Sequence, residues 1–212
     1  MASSTVHLAI IEELLRKRKF SKPDRLRFGS VLPDFRKGGN SHFSKHFGAG
    51  TKKTNDLNGF REKFFDKMRT DDLYLGYYLH LFQDIGYRHF VYDVHRWDPM
   101  REGNVDRLHN DYAIVNSYIV SKYGLKKEMT VPSGFLDEPL SKVAEFDIDM
   151  LIRSMEEFVT IKKEGEIFFF THEMTDTFIA DSVKACMEEL DRMDHGEPMA
   201  DGDALAWEKA VP

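Results

Sequence analysis

The sequence predicts an all-α fold, a single compact multi-helix domain. Apolar residues recur at helical spacing over several long segments, and N-capping residues, Gly and Pro separate those segments. We find no internal repeat and no convincing strand array in the sequence. A chain of 212 residues suits one domain. We therefore expect a helical metal-binding domain over residues 1–195 and a loosely packed acidic tail over residues 196–212.

The composition is that of an ordinary globular protein, with 42% hydrophobic and 31% charged residues. The net charge of -6 argues against binding nucleic acid over the whole surface, so we expect no stable nucleic-acid complex. Cys186 is the one cysteine, which excludes an internal disulfide and leaves no thiolate metal site. Any metal must then be held by His, Asp or Glu, which suit zinc, iron, manganese or nickel.

The N-terminal segment does not have the features of a secretory signal. Its first apolar run, VHLAII, is interrupted at Glu12, and the basic residues follow the run instead of preceding it. No apolar segment reaches 18 residues, so we expect no transmembrane segment and a cytoplasmic protein. The oligomeric state is left open by the sequence.

The chain is organised around residues 73–93, LYLGYYLHLFQDIGYRHFVYD, which we interpret as one long and mostly apolar helix. His80 and Asp84 are four residues apart and therefore project from the same face. Because a buried carboxylate is costly unless it is paired or bound to metal, this pair is a candidate metal site. Gly76 would leave room beside His80 for an ion or a ligand. The alternative is a core helix in which His80 and Asp84 bond to each other.

Two further candidates precede this helix. An amphipathic helix over residues 4–19 carries His7 on the same side as Ile11, so His7 points inward. After a second short helix, Pro33 disfavours helical structure at the residue before it, which presents Asp34 on a turn.

Residues 36–58 are expected to form a long loop with four glycines and five Lys or Arg. The loop contains the pairs His42-Phe43 and His46-Phe47, whose aromatic rings favour an anchored loop. Loops of this length are usually functional or disordered. Its basic residues could attract a phosphate-bearing substrate, and the alternative is a solvated, mobile insertion.

The rest of the chain is expected to be helical over residues 60–68 and 105–123, from Ala144, and over 167–193. His109 and Asp111 are about 200° apart on their helix, so one of them, but not both, can reach a common site. His172 and Asp176 form a second pair spaced i, i+4. The sequence leaves the role of this pair open, because a solvated acidic helix face would show the same spacing.

The order of these residues resembles the zinc-dependent phospholipase C and S1/P1 nuclease superfamily. The resemblance covers about residues 5–120 and is carried by a first-helix His, an Asp on a turn, a loop His, and HxxxD followed shortly by His. It implies an all-α domain of the phospholipase C/P1 nuclease type, in which His and Asp hold up to three zinc ions. It also implies a phosphodiester substrate.

Carried over residue by residue, the resemblance implies metal ligands at His7, Asp34, His42 (with His46 as second choice), His80, Asp84 and His89. The family's second His-x-x-x-Glu/Asp pair is missing, and His109 and Asp111 are its nearest substitutes. The family's N-terminal amine ligand also has no clear equivalent. We therefore expect one or two zinc ions, with other divalent transition metals as alternatives.

The function that the resemblance implies is a metal-dependent hydrolase acting on a phosphoric ester through a metal-activated water. Asp34 and Asp84 would be catalytic because they orient the water as well as bind metal. The expected substrate is a phosphate-ester small molecule or a lipid head group. The alternative is a non-catalytic helical metal-binding or interaction protein that kept the fold.

Overall fold

Helices form most of the chain, as the sequence predicted. The structure is a computed structural model, and it describes residues 2–208. The α-helices within that range are α1 Ser4–Lys17, α2 Pro23–Val31, α3 Leu57–Thr70, α4 Asp72–Arg88, α5 Asn104–Tyr123, α6 Ile148–Thr160 and α7 His172–His195. In residues 2–208, we find no helix whose length and apolar character would carry it across a membrane.

Short strands accompany the helices, and the sequence did not predict them. They are β1 Arg36–Gly39, β2 Ser44–Phe47, β3 Lys52–Asn55, β4 Ala144–Phe146 and β5 Trp207–Glu208. β1 pairs antiparallel with β4, and a second antiparallel sheet has the order β2-β3-β5. The expected long loop over residues 36–58 is therefore wrong. Glycines at positive φ, such as Gly48 at 61° and Gly50 at 85°, allow the tight turn that joins β2 to β3.

Helix α4 lies at the centre of the core, and its tyrosines Tyr74, Tyr77 and Tyr78 have no exposed surface. It ends at Arg88, five residues before the predicted end. The next six residues, His89–Val94, form a π-helix. Because a π-helical turn has a wider backbone repeat, it changes the directions in which the following side chains project.

Helices α2 and α4 cross closely because each has a glycine at the crossing. A Cβ at Gly76 would lie 2.2 Å from the backbone oxygen of Leu26, and a Cβ at Gly29 would lie 2.1 Å from that of Leu73. The prediction that Gly76 leaves room for an ion is wrong, because the backbone of α2 fills that space. The close crossing instead brings α2, and the 3₁₀ turn Leu32–Asp34 that follows it, against α4.

The C-terminal segment packs more firmly than the sequence predicted. The backbone N–H of Ala200 donates to both carboxylate oxygens of the buried Glu189, at 3.0 and 3.1 Å. Thr54 donates its hydroxyl to the carbonyl of Gly202, and β5 adds a strand to the edge of β3. The expected loose packing of residues 196–212 is thus wrong for residues up to 208. The last four residues lie outside the described part of the chain.

The other boundaries follow local signals. Helix α5 ends at Tyr123, and Gly124, with a φ of 68°, provides a left-handed C-cap. Helix α6 begins at Ile148 and not at Ala144, because residues 144–146 pair with β1. Helix α7 begins later than predicted, after Thr171, whose side chain accepts a hydrogen bond from the N–H of Met174.

Candidate metal centre

Five of the predicted ligands converge at one place in the core. His7 comes from α1, Asp34 from the 3₁₀ turn after α2, His42 from the turn between β1 and β2, and His80 and Asp84 from α4. Their side chains are between 0% and 14% exposed, so the cluster lies almost entirely out of water. A charged group in such surroundings requires compensation by other charges or by a bound ion.

The loop that carries His42 is fixed by hydrogen bonds to its neighbours. Tyr77, one turn before His80 on α4, donates its hydroxyl to the carbonyl of Ser41. The hydroxyl of Ser41 donates to the carbonyl of Pro33 at 2.8 Å, which ties the His42 turn to the turn that carries Asp34. Phe43 has a φ of 50°, and its ring packs on Phe60 and Tyr77. A residue of this kind at positive φ is held there by the surrounding structure.

The three imidazoles are oriented alike. In each ring Nδ1 lies beside an oxygen atom that accepts its hydrogen; Nε2 of His42 and His80 faces both carboxylates, and Nε2 of His7 faces Asp84. The bonds run from His7 Nδ1 to Gln83 Oε1 at 2.7 Å, from His42 Nδ1 to Ser41 Oγ at 3.1 Å, and from His80 Nδ1 to Ser30 O at 2.8 Å. A proton held on Nδ1 leaves the lone pair of Nε2 free, which is the usual arrangement of metal-binding histidines.

The Nε2 atoms of His42 and His80 lie close to each other and to one oxygen atom each of Asp34 and Asp84. His42 Nε2 lies 3.5 Å from both Asp34 Oδ1 and Asp84 Oδ2, and His80 Nε2 lies 3.7 and 3.4 Å from the same two oxygens. The two Nε2 atoms are 3.2 Å apart. Ligands about 2.0–2.1 Å from a tetrahedral zinc ion lie roughly 3.3 Å from one another. The residues therefore fit a small divalent cation with little rearrangement.

Unpartnered polar atoms support the same conclusion. His7 Nε2 and Asp84 Oδ2 are buried without a hydrogen-bond partner. Such groups are rare in folded proteins because each costs free energy. Two Nε2 lone pairs facing each other, as in His42 and His80, also repel unless a proton or a cation lies with them. Metal binding would provide partners for these atoms, and the buried His/Asp groups could hold an ion.

A second position adjoins the first on the side of α1. His7 Nε2 lies 3.5 Å from Asp84 Oδ1, the other oxygen of the shared carboxylate. The same oxygen accepts the backbone N–H of Ala2 at 3.2 Å. His7 also stacks on His80 with 4.0 Å between the ring centroids. His7, His80 and Asp84 form one group that could hold a metal ion, and Asp34, His42 and His80 form another, so the two positions share His80.

The ionisation of the cluster is set by its own charges. Burial opposes the charged form of Asp84, yet the charge of His80 and the nearby imidazole of His7 hold its pKa well below the usual range. The pKa of Asp34 is also lowered, against burial, by His80 and His42. Burial lowers the pKa of His42, whereas the two carboxylates outweigh burial at His80 and raise its pKa. A metal would displace a proton from this group of residues.

An open cleft of about 840 Å³ gives access to the cluster, since His42 and Asp84 form part of its wall. Its lining includes the cations Arg36, Lys53 and Arg88 and the carboxylates of Asp84, Asp98 and Glu208. The cleft lies against the candidate metal position, so a ligand in it would meet these cations as well as the ion.

The structure does not place His89 with the other ligands. Its side chain is 70% exposed and its Nδ1 lies 3.2 Å from Asp93 Oδ2. Nine helical residues after His80 amount to about half a turn, so His89 projects from the opposite side of the helix, where the π-helix also begins. We therefore correct its assignment as a ligand.

His109 and Asp111 are also separate from the cluster. His109 is exposed at the start of α5. Asp111 is fully buried, and its two oxygens accept the N–H groups of three consecutive residues at 2.8–2.9 Å, Phe168, Phe169 and Phe170. Asp111 thus anchors the segment before α7 and has no coordination sites to spare.

The positions of the side chains distinguish His42 from His46 and show what surrounds His172 and Asp176. His42 joins the cluster, whereas His46 is exposed on β2 at the rim of the cleft. His172 stacks on Tyr118 at 4.1 Å, and Asp176 accepts hydrogen bonds from Tyr118, Tyr123 and Lys122. This pair is a surface network of polar contacts.

Sequence reasoning missed the residues that orient the ligands. Gln83 holds His7, Ser41 holds His42, and Ser4 donates to Asp34 Oδ2 at 2.7 Å, which leaves Oδ1 to face the histidines. Of these residues, only Gln83 could have been found from the sequence, because it is a polar residue three positions after His80 on an otherwise apolar helix. Nothing in the sequence distinguishes the two serines.

The fold and the site define a mostly helical protein with a buried His/Asp cluster that could hold a metal ion. Comparison of the chain with family models, with curated proteins and with solved structures finds no match. The resemblance to the phospholipase C and S1/P1 nuclease superfamily therefore stays a prediction from the residues.

Proposed function

We propose that this protein is a zinc-dependent hydrolase of phosphoric esters. The observation that carries the proposal is the set of four inward-facing atoms from Asp34, His42, His80 and Asp84, beside a cleft with basic groups on its rim. Imidazole nitrogen and carboxylate oxygen ligands suit zinc among the common divalent metals.

Each of these residues has a role in the proposed chemistry. A zinc ion held by these residues would lower the pKa of a water molecule to about 7 and polarise a phosphoryl oxygen. Asp34 or Asp84 would accept a hydrogen bond from that water and orient it. The Nδ1 contacts of the histidines keep Nε2 unprotonated and aimed inward. The cations Arg36, Lys53 and Arg88 attract the phosphate group into the cleft.

A zinc titration combined with an activity assay tests the proposal. Metal content would be measured in the purified protein, and hydrolysis would be followed with bis(4-nitrophenyl) phosphate. His42→Ala and His80→Ala should lose both bound zinc and activity. His109→Ala and His195→Ala are matched controls, because these histidines are exposed and lie outside the cluster and both cavities. Equal activity in wild type and His80→Ala would refute the hydrolase.

A second candidate function is a non-catalytic metal-binding protein. The observation in its favour is that the protein itself offers four ligand atoms, from Asp34, His42, His80 and Asp84, as in structural zinc sites, whereas catalytic sites usually keep one position open. Bound zinc without hydrolysis of any phosphoric ester, in a substrate panel of mono- and diesters, would favour this function. A protein with neither bound zinc nor activity would be a helical domain without either function.

A further inference from the structure

A second cavity lies beyond the metal cleft and shares a wall with it. Its volume is about 540 Å³, and it is enclosed by the end of α4, by α7 and by residues 204–208. Arg88, Trp207 and Glu208 line both cavities. The side chains that line only the second cavity are largely apolar, among them Phe82, Ile85, Ala185 and Leu205.

Arg88 occupies a defined position in the shared wall. It follows Asp84 by four residues on α4, so both side chains project from the same face of the helix. Its guanidinium carbon lies 4.1 Å from the ring centroid of Tyr92 and 5.8 Å from that of Trp207. Stacking on an aromatic ring fixes the plane of the guanidinium and leaves its edge free for a planar or tetrahedral anion. Its present ion-pair partner is the exposed Asp93, 3.2 Å away.

We propose that Arg88 binds the anionic group of a ligand whose apolar substituent occupies the second cavity. The ligand would be an amphiphilic phosphate ester, with its phosphate in the metal cleft and its organic group between α4, α7 and residues 204–208. This inference rests on the proposed function for the phosphate end. Arg88 and Trp207 line both cavities, so an anion bound at Arg88 would lie next to the second cavity as well as the first.

The C-terminal segment then belongs to the binding site. Trp207 pairs across the sheet with Lys53, a cation on the rim of the metal cleft, so β5 holds the aromatic wall in register with that rim. Leu205 is 44% exposed at the second cavity, a position where an apolar side chain gains from a covering ligand group.

The test is a calorimetric titration of the zinc-loaded protein with inorganic phosphate and with ethyl, butyl and hexyl phosphate. In wild type the affinity should rise with chain length, by up to about fourfold for each buried methylene. Ala185→Phe fills the cavity and should abolish that rise. Ala180→Phe is the matched control, because it adds the same ring to the same helix at an exposed position outside the cavity.

Arg88→Gln should weaken binding of inorganic phosphate and of all three esters by the same factor and leave the dependence on chain length intact. Leu205→Ala, a substitution at an exposed site, should reduce the dependence on chain length. It tests the cavity if Ala185→Phe does not fold. An affinity that is independent of chain length in wild type, or a rise unchanged in both Ala185→Phe and Leu205→Ala, would overturn the inference. Hydrolysis without a chain-length effect on affinity would refute only this inference. A chain-length effect on affinity without hydrolysis would refute only the proposed enzymatic activity.

Discussion

Replacing Gly76 by Ala should destabilise the protein, although alanine favours helices. The added Cβ would lie 2.2 Å from Leu26 O and 3.0 Å from the backbone nitrogen of Ser30, whereas ordinary contacts begin at 3.4 Å. The backbones of α2 and α4 would therefore have to separate by about 1 Å. Overpacking of this kind costs about 1–3 kcal/mol.

Two further effects change the total. The separation would lengthen the bond from His80 Nδ1 to Ser30 O, now 2.8 Å, at a cost of ~0.5–1.5 kcal/mol. The better helix propensity of alanine compared with glycine offsets at most ~1 kcal/mol of this loss in the free energy of unfolding. We expect a net loss of about 2 kcal/mol in the free energy of unfolding, or roughly 4–8 °C in melting temperature for a chain of this size.

Gly86→Ala is the matched control, because it lies on the same helix and its Cβ would meet nothing within 4 Å. It should be neutral or stabilise the protein by up to ~1 kcal/mol. Urea and thermal unfolding of both variants would give the difference directly. A Gly76→Ala protein as stable as Gly86→Ala would refute the reasoning. Zinc affinity should fall as well, by about tenfold or more, because α2 carries the acceptor that orients His80.

Two other predictions concern the cluster and its neighbours. The stability gained on adding zinc, measured as melting temperature with zinc minus that with EDTA, should widen as pH rises above ~6.5. The pKa of His80 is raised in the folded protein, so the protonated ring stabilises the metal-free fold at lower pH. This stabilisation is lost as the pH rises through the folded pKa. Zinc binds the neutral ring, so zinc binding is favoured over the same pH range. A constant difference between pH 6 and 8 would contradict the assignment of His80 as a ligand. Asp111→Asn should lose ~2–4 kcal/mol of stability, since a neutral amide has one acceptor oxygen in place of the two that now bind three N–H groups. Its zinc content should match wild type, and a loss of zinc would return Asp111 to the ligand set. The exposed His109→Ala is its control.

The sequence by itself determined the helical class of the fold and most of the candidate site. Apolar periodicity located the helices, and the spacing of His80 and Asp84 placed them on one face of a helix too apolar to be exposed. The inward direction of His7 followed from the same period. These inferences succeeded because they depend on local backbone geometry, which a run of residues specifies without its neighbours.

Tertiary structure decided the rest. The strands around His42 form only through pairing with distant residues, such as β1 with Ala144–Phe146 and β3 with Trp207–Glu208. His89 was lost from the site because α4 gives way to a π-helix at that residue, and Asp111 because a segment nearly sixty residues away presents its N–H groups to it. Contacts between residues far apart in the chain depend on how the helices pack, and local spacing carries no information about that packing.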